Sequence, residues 1–316
     1  MKEANSLTAY IIRRIAFLIP VCLGILCVTF LLQAFIPADA VSMMYQGQAT
    51  RQQAEEAMRI MREKYGLDKP WYIRFFYYAG NVLRGDLGIS IRTRRPVWEE
   101  LKDRYVNTMI LTGASLVIAV IVGIGSGIVS AYFRDTILDF LGQAVGLFGI
   151  SMPAFFFGVL LIMIFAVRLR WVPVLGKGDW KHLILPALNL GLIESAGLSR
   201  ITRSTMLDVL NMDYIRTARA KGLSEPLVVL RHALKNVLLP VVTIIGLQIG
   251  GLLGGAFIIE VIFGWHGVGE LAVRAISWRD FTITQAIILI SAGTYVLVNL
   301  VVDITYVFLD PRIKYS

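Results

Sequence analysis

From Ile15 to Ile36 the chain runs for 22 residues without a single charged side chain. Further uncharged or nearly uncharged runs cover about Thr108–Phe133, Phe140–Val167, Leu183–Leu198, Val237–Ile259 and Ile283–Leu309. About 20 apolar residues in helical form span the hydrocarbon core of a bilayer, and in lipid the backbone must satisfy its own hydrogen bonds. These runs therefore predict an all-α integral membrane protein with six transmembrane helices. Composition agrees: 56% of residues are hydrophobic and only 17% charged, where soluble chains carry nearer a quarter charged.

The motif "PADA" at Pro37–Ala40 imitates a signal-peptidase site. The run before it is longer than the roughly 7–15 residues of a signal peptide's apolar region, so an uncleaved first helix is expected. Residues 37–106 are the most polar part and read as an extracytoplasmic segment. Within it Ala54, Met58, Met61 and Tyr65 fall at helical spacing, and Gly66 and Pro70 end the pattern. Residues 107–316 then form the core with spans two to six.

Six spans place both termini and the segment 199–236 on one side. That segment holds Arg200, Arg203, Arg216, Arg219, Lys221, Arg231 and Lys235 against Asp208, Asp213 and Glu225, and Arg13 and Arg14 precede the first span. The excess of basic residues orients that side to the cytoplasm. Loop 168–182 is also basic and argues the other way, more weakly; its Trp171 and Trp180 suit a membrane interface. The net charge of +9 is thus a topological signal, and no basic-aromatic module points to nucleic acid.

Other chemistry is missing. The chain has no phosphate loop of the G-x-x-x-x-G-K-[ST] type and no H-E-x-x-H or paired-cysteine metal pattern. The nucleophile elbow G-x-S-x-G is also absent, and "GIGSGI" around Ser126 imitates it only inside an apolar run. His182, His232 and His266 are scattered, and Cys22 and Cys27 read as small apolar fillers. No catalytic or metal-binding residue is expected. An intramembrane hydrolase, or a membrane anchor or receptor, is the alternative of another class.

Small residues recur four apart at Gly123/Gly127, Gly142/Gly146 and Gly246/Gly250/Gly254, a spacing that lets helices approach closely in lipid. Glu194, in the fourth run, is the one acidic residue well inside an expected span. A mid-membrane charge costs at least about 2.5 kcal/mol on insertion scales, so Glu194 must face protein or water. With Gln143, Asn189 and Gln248 it is a candidate for a polar path. Asp303 and Asp310 are expected to pair with basic residues near the end of the last span.

The most unusual stretch is "DYIRTARAKGLSEPLVVLRHALKNVLLP", Asp213–Pro240. Leu207, Leu210, Tyr214 and Ala218 predict one amphipathic helix, which Gly222 can end in a left-handed cap. Ser224, Glu225 and Pro226 suit the start of a second, with Leu227, Leu230, Leu234 and Val237 as its stripe. Physically the pair, about 207–238, is either a solvated interfacial loop or a docking element continuous with the fifth span.

The stretch resembles the coupling loop of ABC-importer permeases, and "DYIRTARAKGLS…LRHALKNVLLPVVT" is similar to the dipeptide/oligopeptide/nickel branch. Arg216 and Thr217 stand where the general pattern has Glu and Ala, as is usual in that branch. The resemblance extends through "YIIRRIAFLIPVCLGILCVTFLL", "YGLDKPW", "RGDLGIS", "GISMPAFFFGVLLI", "WVPVLGKGDWKHLILPAL", "IIEVIFGWHGVGEL" and "LVVDITYVFLDPRI". It implies one permease subunit with the type I importer fold in a bacterial or archaeal inner membrane. Its implied partners are a homologous second permease, two ATPase subunits that bind ATP and Mg, an external substrate-binding protein, and the bilayer. Tyr214, Arg216, Thr217, Ala218, Arg219, Ala220, Lys221, Gly222, Leu223, Ser224 and Glu225 would meet the ATPase. Cargo would be short peptides or glutathione, with nickel, a metal chelate or an opine as the alternative.

Overall fold

The computed structural model describes residues 2–34, 69–90, 92–176 and 178–309. The signal-peptidase-like motif, the helix expected over Ala54–Tyr65 and Asp310 lie outside the described residues, as does the side chain of Asp303. Among the described residues the secondary structure is helical apart from one isolated bridge between Ile89 and Pro96.

In chain order the helices are α1 (Lys2–Ala34), α2 (Trp71–Leu83), α3 (Val97–Tyr132), α4 (Ile137–Ser151), α5 (Ala154–Leu161), α6 (Lys181–Leu210), α7 (Asp213–Ala220), α8 (Glu225–Leu227), α9 (Leu234–Phe263), α10 (Val268–Ser277) and α11 (Phe281–Leu309). Wide π turns continue α5 over Ile162–Arg168 and join α8 to α9 over Val228–Ala233. Where described, every expected span falls largely on helix. Among the described residues, two helices are by themselves long and apolar enough to cross a membrane, or up to four if bent pairs count as single spans.

Three sequence expectations need correction. The third span is not one rod. It breaks at Ser151–Pro153, because Pro153 disfavours helix at Met152 and then starts α5. The first helix of the unusual stretch does not begin at Leu207, because α6 runs on to Leu210 and the Asn211 side-chain amide donates to the Leu207 carbonyl at 2.9 Å. Finally, Leu227 and Leu230 are exposed while Val228, Val229, Ala233 and Val237 are buried. A π turn holds an extra residue per turn, so it rotates the buried face away from the 3.6-residue stripe.

The chain divides into two units. One comprises Met1–Val106 with Glu270–Val296. Here Thr29 of α1 is a junction. Its hydroxyl accepts from the Tyr78 hydroxyl at 3.0 Å, and its carbonyl accepts from the Gln285 amide at 2.9 Å. Phe30 packs edge-on against Phe75 at 5.5 Å between centroids. Asp280 is fully buried, caps α11 through the Ile283 N–H at 3.1 Å, and accepts from the Ser90 hydroxyl at 2.6 Å. Glu270 binds both Arg104 and Arg274.

The other unit comprises Asn107–Gly269 with Leu297–Ser316, and it holds two apolar cores. One gathers Leu111, Leu161, Leu190, Leu252, Ile259, Phe263 and Trp265. The second gathers Leu198, Met206, Ile215, Ala218, Val228, Val229, Ala233 and Val237. The Gly123/Gly127 pair fits its expected use. A Cβ on Gly123 would stand 2.7 Å from Leu198 Cβ, and one on Gly127 would stand 2.6 Å from Thr202 Cβ. Gly191 is as close to Ile118, at 2.7 Å. Thus α3 and α6 meet backbone to backbone over several turns, and the Ser126 hydroxyl donates to Ser199 across the seam at 2.9 Å. Gly246 makes the same kind of close approach to Val302. Gly146 and Gly254 lie where the surroundings are outside the described residues.

Candidate functional site

The unusual stretch folds into a helical lever. Asp213 opens α7 with its negative charge at the positive helix end. At the other end the Gly222 N–H reaches the Arg219 carbonyl at 2.9 Å, and the Leu223 N–H reaches the Ala218 carbonyl at 3.4 Å. This pair of bonds is a Schellman cap, which needs a left-handed residue. Gly222 supplies it with φ +78°, and nothing in the chain lies within 4 Å of where its Cβ would be. The lever tip is therefore bare backbone in open space.

An ion pair closes the turn. The Arg219 guanidinium grips Glu225 with Nε at 2.9 Å and Nη2 at 2.6 Å from Oε1. Its other arm approaches the Leu210 carbonyl at 3.4 Å. Both partners are about two-fifths exposed, so the pair fixes geometry more than it adds stability. Ser224 occupies the cap position of α8, but its side chain makes no capping hydrogen bond. That expectation is corrected; Glu225 is held by Arg219 in addition to the helix end.

The expected docking residues divide by exposure. Ala218 is buried, and Leu223 and Glu225 are half-buried. Tyr214, Arg216, Thr217, Arg219, Ala220, Lys221, Gly222 and Ser224 are exposed. Tyr214 is steadied by the Asn236 amide at 2.6 Å, and the Thr217 hydroxyl donates to the Asp213 carbonyl at 3.0 Å. Below this face, Ile215 is fully buried and Ala218 nearly so, packed with Met206 and Val209 of α6 and with Val228, Val229 and Ala233. The lever is thus anchored in an apolar core and continues through the π turn into α9. The 30-residue α9 is not straight: it bends by 52° between the part ending at Leu238 and the part starting at Pro240, whose ring removes an N–H and clashes with the preceding turn.

The far end of α9 carries a feature that the sequence does not announce. The fifth span is expected to stop at Ile259, but α9 includes Glu260, which is fully buried. Glu260 is thus a buried acid one position beyond the expected span, which the sequence alone does not single out. The Glu260 carboxylate accepts from the Thr108 hydroxyl at 2.6 Å and from the Gly269 N–H at 2.7 Å. Thr108 accepts in turn from the Val268 N–H, the Asn107 amide donates to the His266 carbonyl, and the Trp265 indole donates to the Asn107 carbonyl. A second Schellman cap at Gly264, φ +60°, turns the chain into this knot. A Cβ on Gly267 would collide with the Glu260 carboxyl group, so the carboxylate fills the space a side chain would need. The signal for this knot is the Glu-x3-Gly-x2-Gly-x-Gly spacing, which only the fold makes legible.

Of the four polar-path candidates, the structure brings Gln248 and Glu194 into contact and leaves Asn189 and Gln143 apart from them. Asn189 is fully buried and donates to the Ala154 carbonyl at 3.1 Å, bracing the restart of helix after Pro153. Gln248 donates to the Glu194 backbone carbonyl at 2.8 Å, tying α9 to α6, and Glu194 itself is half-buried. Gln143 lines a cavity of 730 Å³ between the start of α4 and the second half of α6.

Beside that cavity lies a second charged feature that sequence reasoning misses. Asp139, one residue before the third expected span, is gripped by Arg203 from α6. Arg203 Nε stands 2.7 Å from Oδ1 and Nη2 stands 2.6 Å from Oδ2. Ser130 at 2.5 Å, Gln143 at 2.9 Å and the Asp135 N–H at 3.1 Å complete the shell. Arg203 above all holds the Asp139 carboxyl well below the usual carboxylate range. Among the described residues no cluster of His, Cys, Asp or Glu could hold a metal ion.

The family model for the inner-membrane component of binding-protein-dependent transport systems matches residues 123–315, and its N-terminal companion matches residues 7–112. The chain belongs to this family, so it is a multi-pass inner-membrane transport subunit, as its motifs implied. The glutathione transport system permease protein GsiC of Escherichia coli O6:H1 is 43% identical over 307 residues, covering 97% of this chain and 99% of the relative. The proteins of that name from E. coli K12 and Salmonella typhimurium are each 42% identical over the same lengths. Inward-facing structures of the MetNI methionine ABC transporter share the fold. In the native crystal form the TM-score is 0.57 at 16% identity, over 66% of this chain and 96% of that one.

Proposed function

We propose that this chain forms half of the translocation pathway of an ATP-driven importer of short peptides, glutathione first among them. On this reading the chain has six spans, with both termini and the α7–α8 lever on the cytoplasmic side. A homologous second permease completes the pathway, and two ATPase subunits, which hold the ATP and Mg, each receive one lever. An external binding protein delivers cargo. The observation that carries the reading is a lever whose tip is bare at Gly222 while its base is locked into the bundle by Ile215, Ala218 and Val228. Such an element transmits displacement instead of absorbing it, because a close-packed core does not deform continuously. ATP-driven approach of the two ATPases would pull on α9 through this base and, across its bend at Pro240, reset the opposite end at Glu260. The names of the relatives support glutathione as cargo.

The test is uptake by proteoliposomes holding this chain, its partner permease, both ATPases and the cognate binding protein. ATP-dependent accumulation of radiolabelled glutathione is the expected result. Accumulation of a nickel chelate or an opine, with glutathione ignored, would replace the cargo assignment. Wild-type levels of uptake without this chain would overturn the assignment altogether.

A further inference from the structure

The cavity between α4 and α6 holds a cation, Arg200, that has no counter-ion among the described residues. Its wall includes Ser130, Gln143, Ser199, Arg200, Arg203 and Ser204. Arg203 is neutralised by the bidentate grip on Asp139. Arg200, one turn away on the same helix and exposed, has no ion pair among the described residues, and the Ser204 hydroxyl there is also unbonded. Arginines and serines lining a hollow are costly against lipid, so the hollow holds water or a polar guest. Its volume of 730 Å³ lies in the range of small-molecule sites. The wall is mixed: Phe140, Gly142, Ala144, Ala196 and Ile201 are apolar, and among the described residues Arg200 leaves it with one uncompensated positive charge.

We infer that this cavity is a cargo-binding station on the pathway, in which Arg200 takes a peptide carboxylate. A guanidinium binds a carboxylate through two parallel N–H···O bonds. Ser204 and Gln143 offer donors to the remaining peptide oxygens. The Asp139–Arg203 pair holds the wall in place and spares Arg200 from internal pairing. The site is open and has only one unpaired cation among the described residues, which suits weak, transient holding that does not trap cargo. This inference rests on the reading of the chain as a peptide permease, and it adds a residue and a ligand group to it.

The test uses the complete, nucleotide-free transporter in nanodiscs with Cys22 and Cys27 replaced by serine and a reporter cysteine at Ser204→Cys. Ala144→Cys serves as a second reporter in case the first disturbs assembly. The rate of labelling by an anionic thiol reagent is read from the mass of this chain, with and without millimolar S-methylglutathione. Slowing of at least threefold is expected, removed by Arg200→Gln and partly kept by Arg200→Lys. No slowing at either reporter, in a transporter that does take up glutathione, overturns the inference and leaves the proposed function standing. Slowing that survives Arg200→Gln overturns the role of Arg200. A transporter that takes up no glutathione overturns the proposed cargo instead.

Discussion

Gly222→Val should cut ATP-dependent uptake at least tenfold while the protein still inserts, assembles its core and leaves ATP hydrolysis by the partner subunits running. First, a β-branched residue held at positive φ costs about 1–2 kcal/mol. That strain falls on a turn already fastened by Arg219 and Glu225, so the fold survives. Second, the added methyl groups enter open space within this chain, so any large loss of transport must come from what the tip meets outside it. Gly222→Asn separates the two effects, since Asn tolerates the left-handed region. It should retain thermal stability close to the parent and still lose coupling, because it adds bulk at the same point. Uptake and ATPase rates measured together on the reconstituted transporter decide the matter. Unchanged uptake in both variants would remove the tip from the docking surface.

The second large effect is expected at Asp139. Asp139→Ala leaves Arg203 charged, mostly buried and without its partner. Removing one side of a fully buried pair costs about 3–5 kcal/mol; because Arg203 borders the open cavity the loss here falls below that range but stays a sizeable part of a typical folding free energy. The variant should show a clearly lower thermal midpoint in detergent and a lower yield in membranes. Asp139→Ala combined with Arg203→Met should recover part of the loss, since no uncompensated charge remains. The pH dependence follows from the lowered carboxyl pKa. A depressed acid contributes stability that is complete above its unfolded pKa of about 4. The contribution is lost only as pH falls below that value towards the lowered pKa. Between pH 5 and 8 the difference between parent and Asp139→Ala should therefore stay constant. A difference that grows steadily across that window would mean another group carries the stability.

What is legible in the sequence is whatever depends on local periodicity. Uncharged runs locate the helices, because lipid leaves the backbone few other solutions. Gly222 announces a left-handed cap, because few other residues end a helix that way. The small-residue spacing at Gly123 and Gly127 announces close packing, and the α3–α6 seam is where it occurs. The displaced stripe in Leu227–Val237 has a physical reason: six residues in a π turn shift the face, and no residue type marks a π turn. The charged residues are hardest to read. In the sequence Arg203 is one more positive charge beside a span and Asp139 a loop acid, until the fold places them 2.6 Å apart. Glu260 falls one position beyond the expected end of its span, and its partners Thr108 and Gly269 sit on other segments. Asn189 reads as a path residue because it is polar in an apolar run, yet its amide is used to brace Ala154. Polar residues inside such a bundle serve packing and passage alike, and only their partners tell the two apart.

The central claim is that the tip of the α7–α8 lever touches an ATPase. A Lys221→Cys variant, in a chain freed of Cys22 and Cys27, can be linked to neighbours by a short bifunctional thiol reagent in native membranes. The expected product joins this chain to an ATPase subunit and falls in yield when that subunit is dissociated by detergent. Labelling of the new thiol by a membrane-impermeant reagent from the outer face of intact cells, with no such product, would contradict the account.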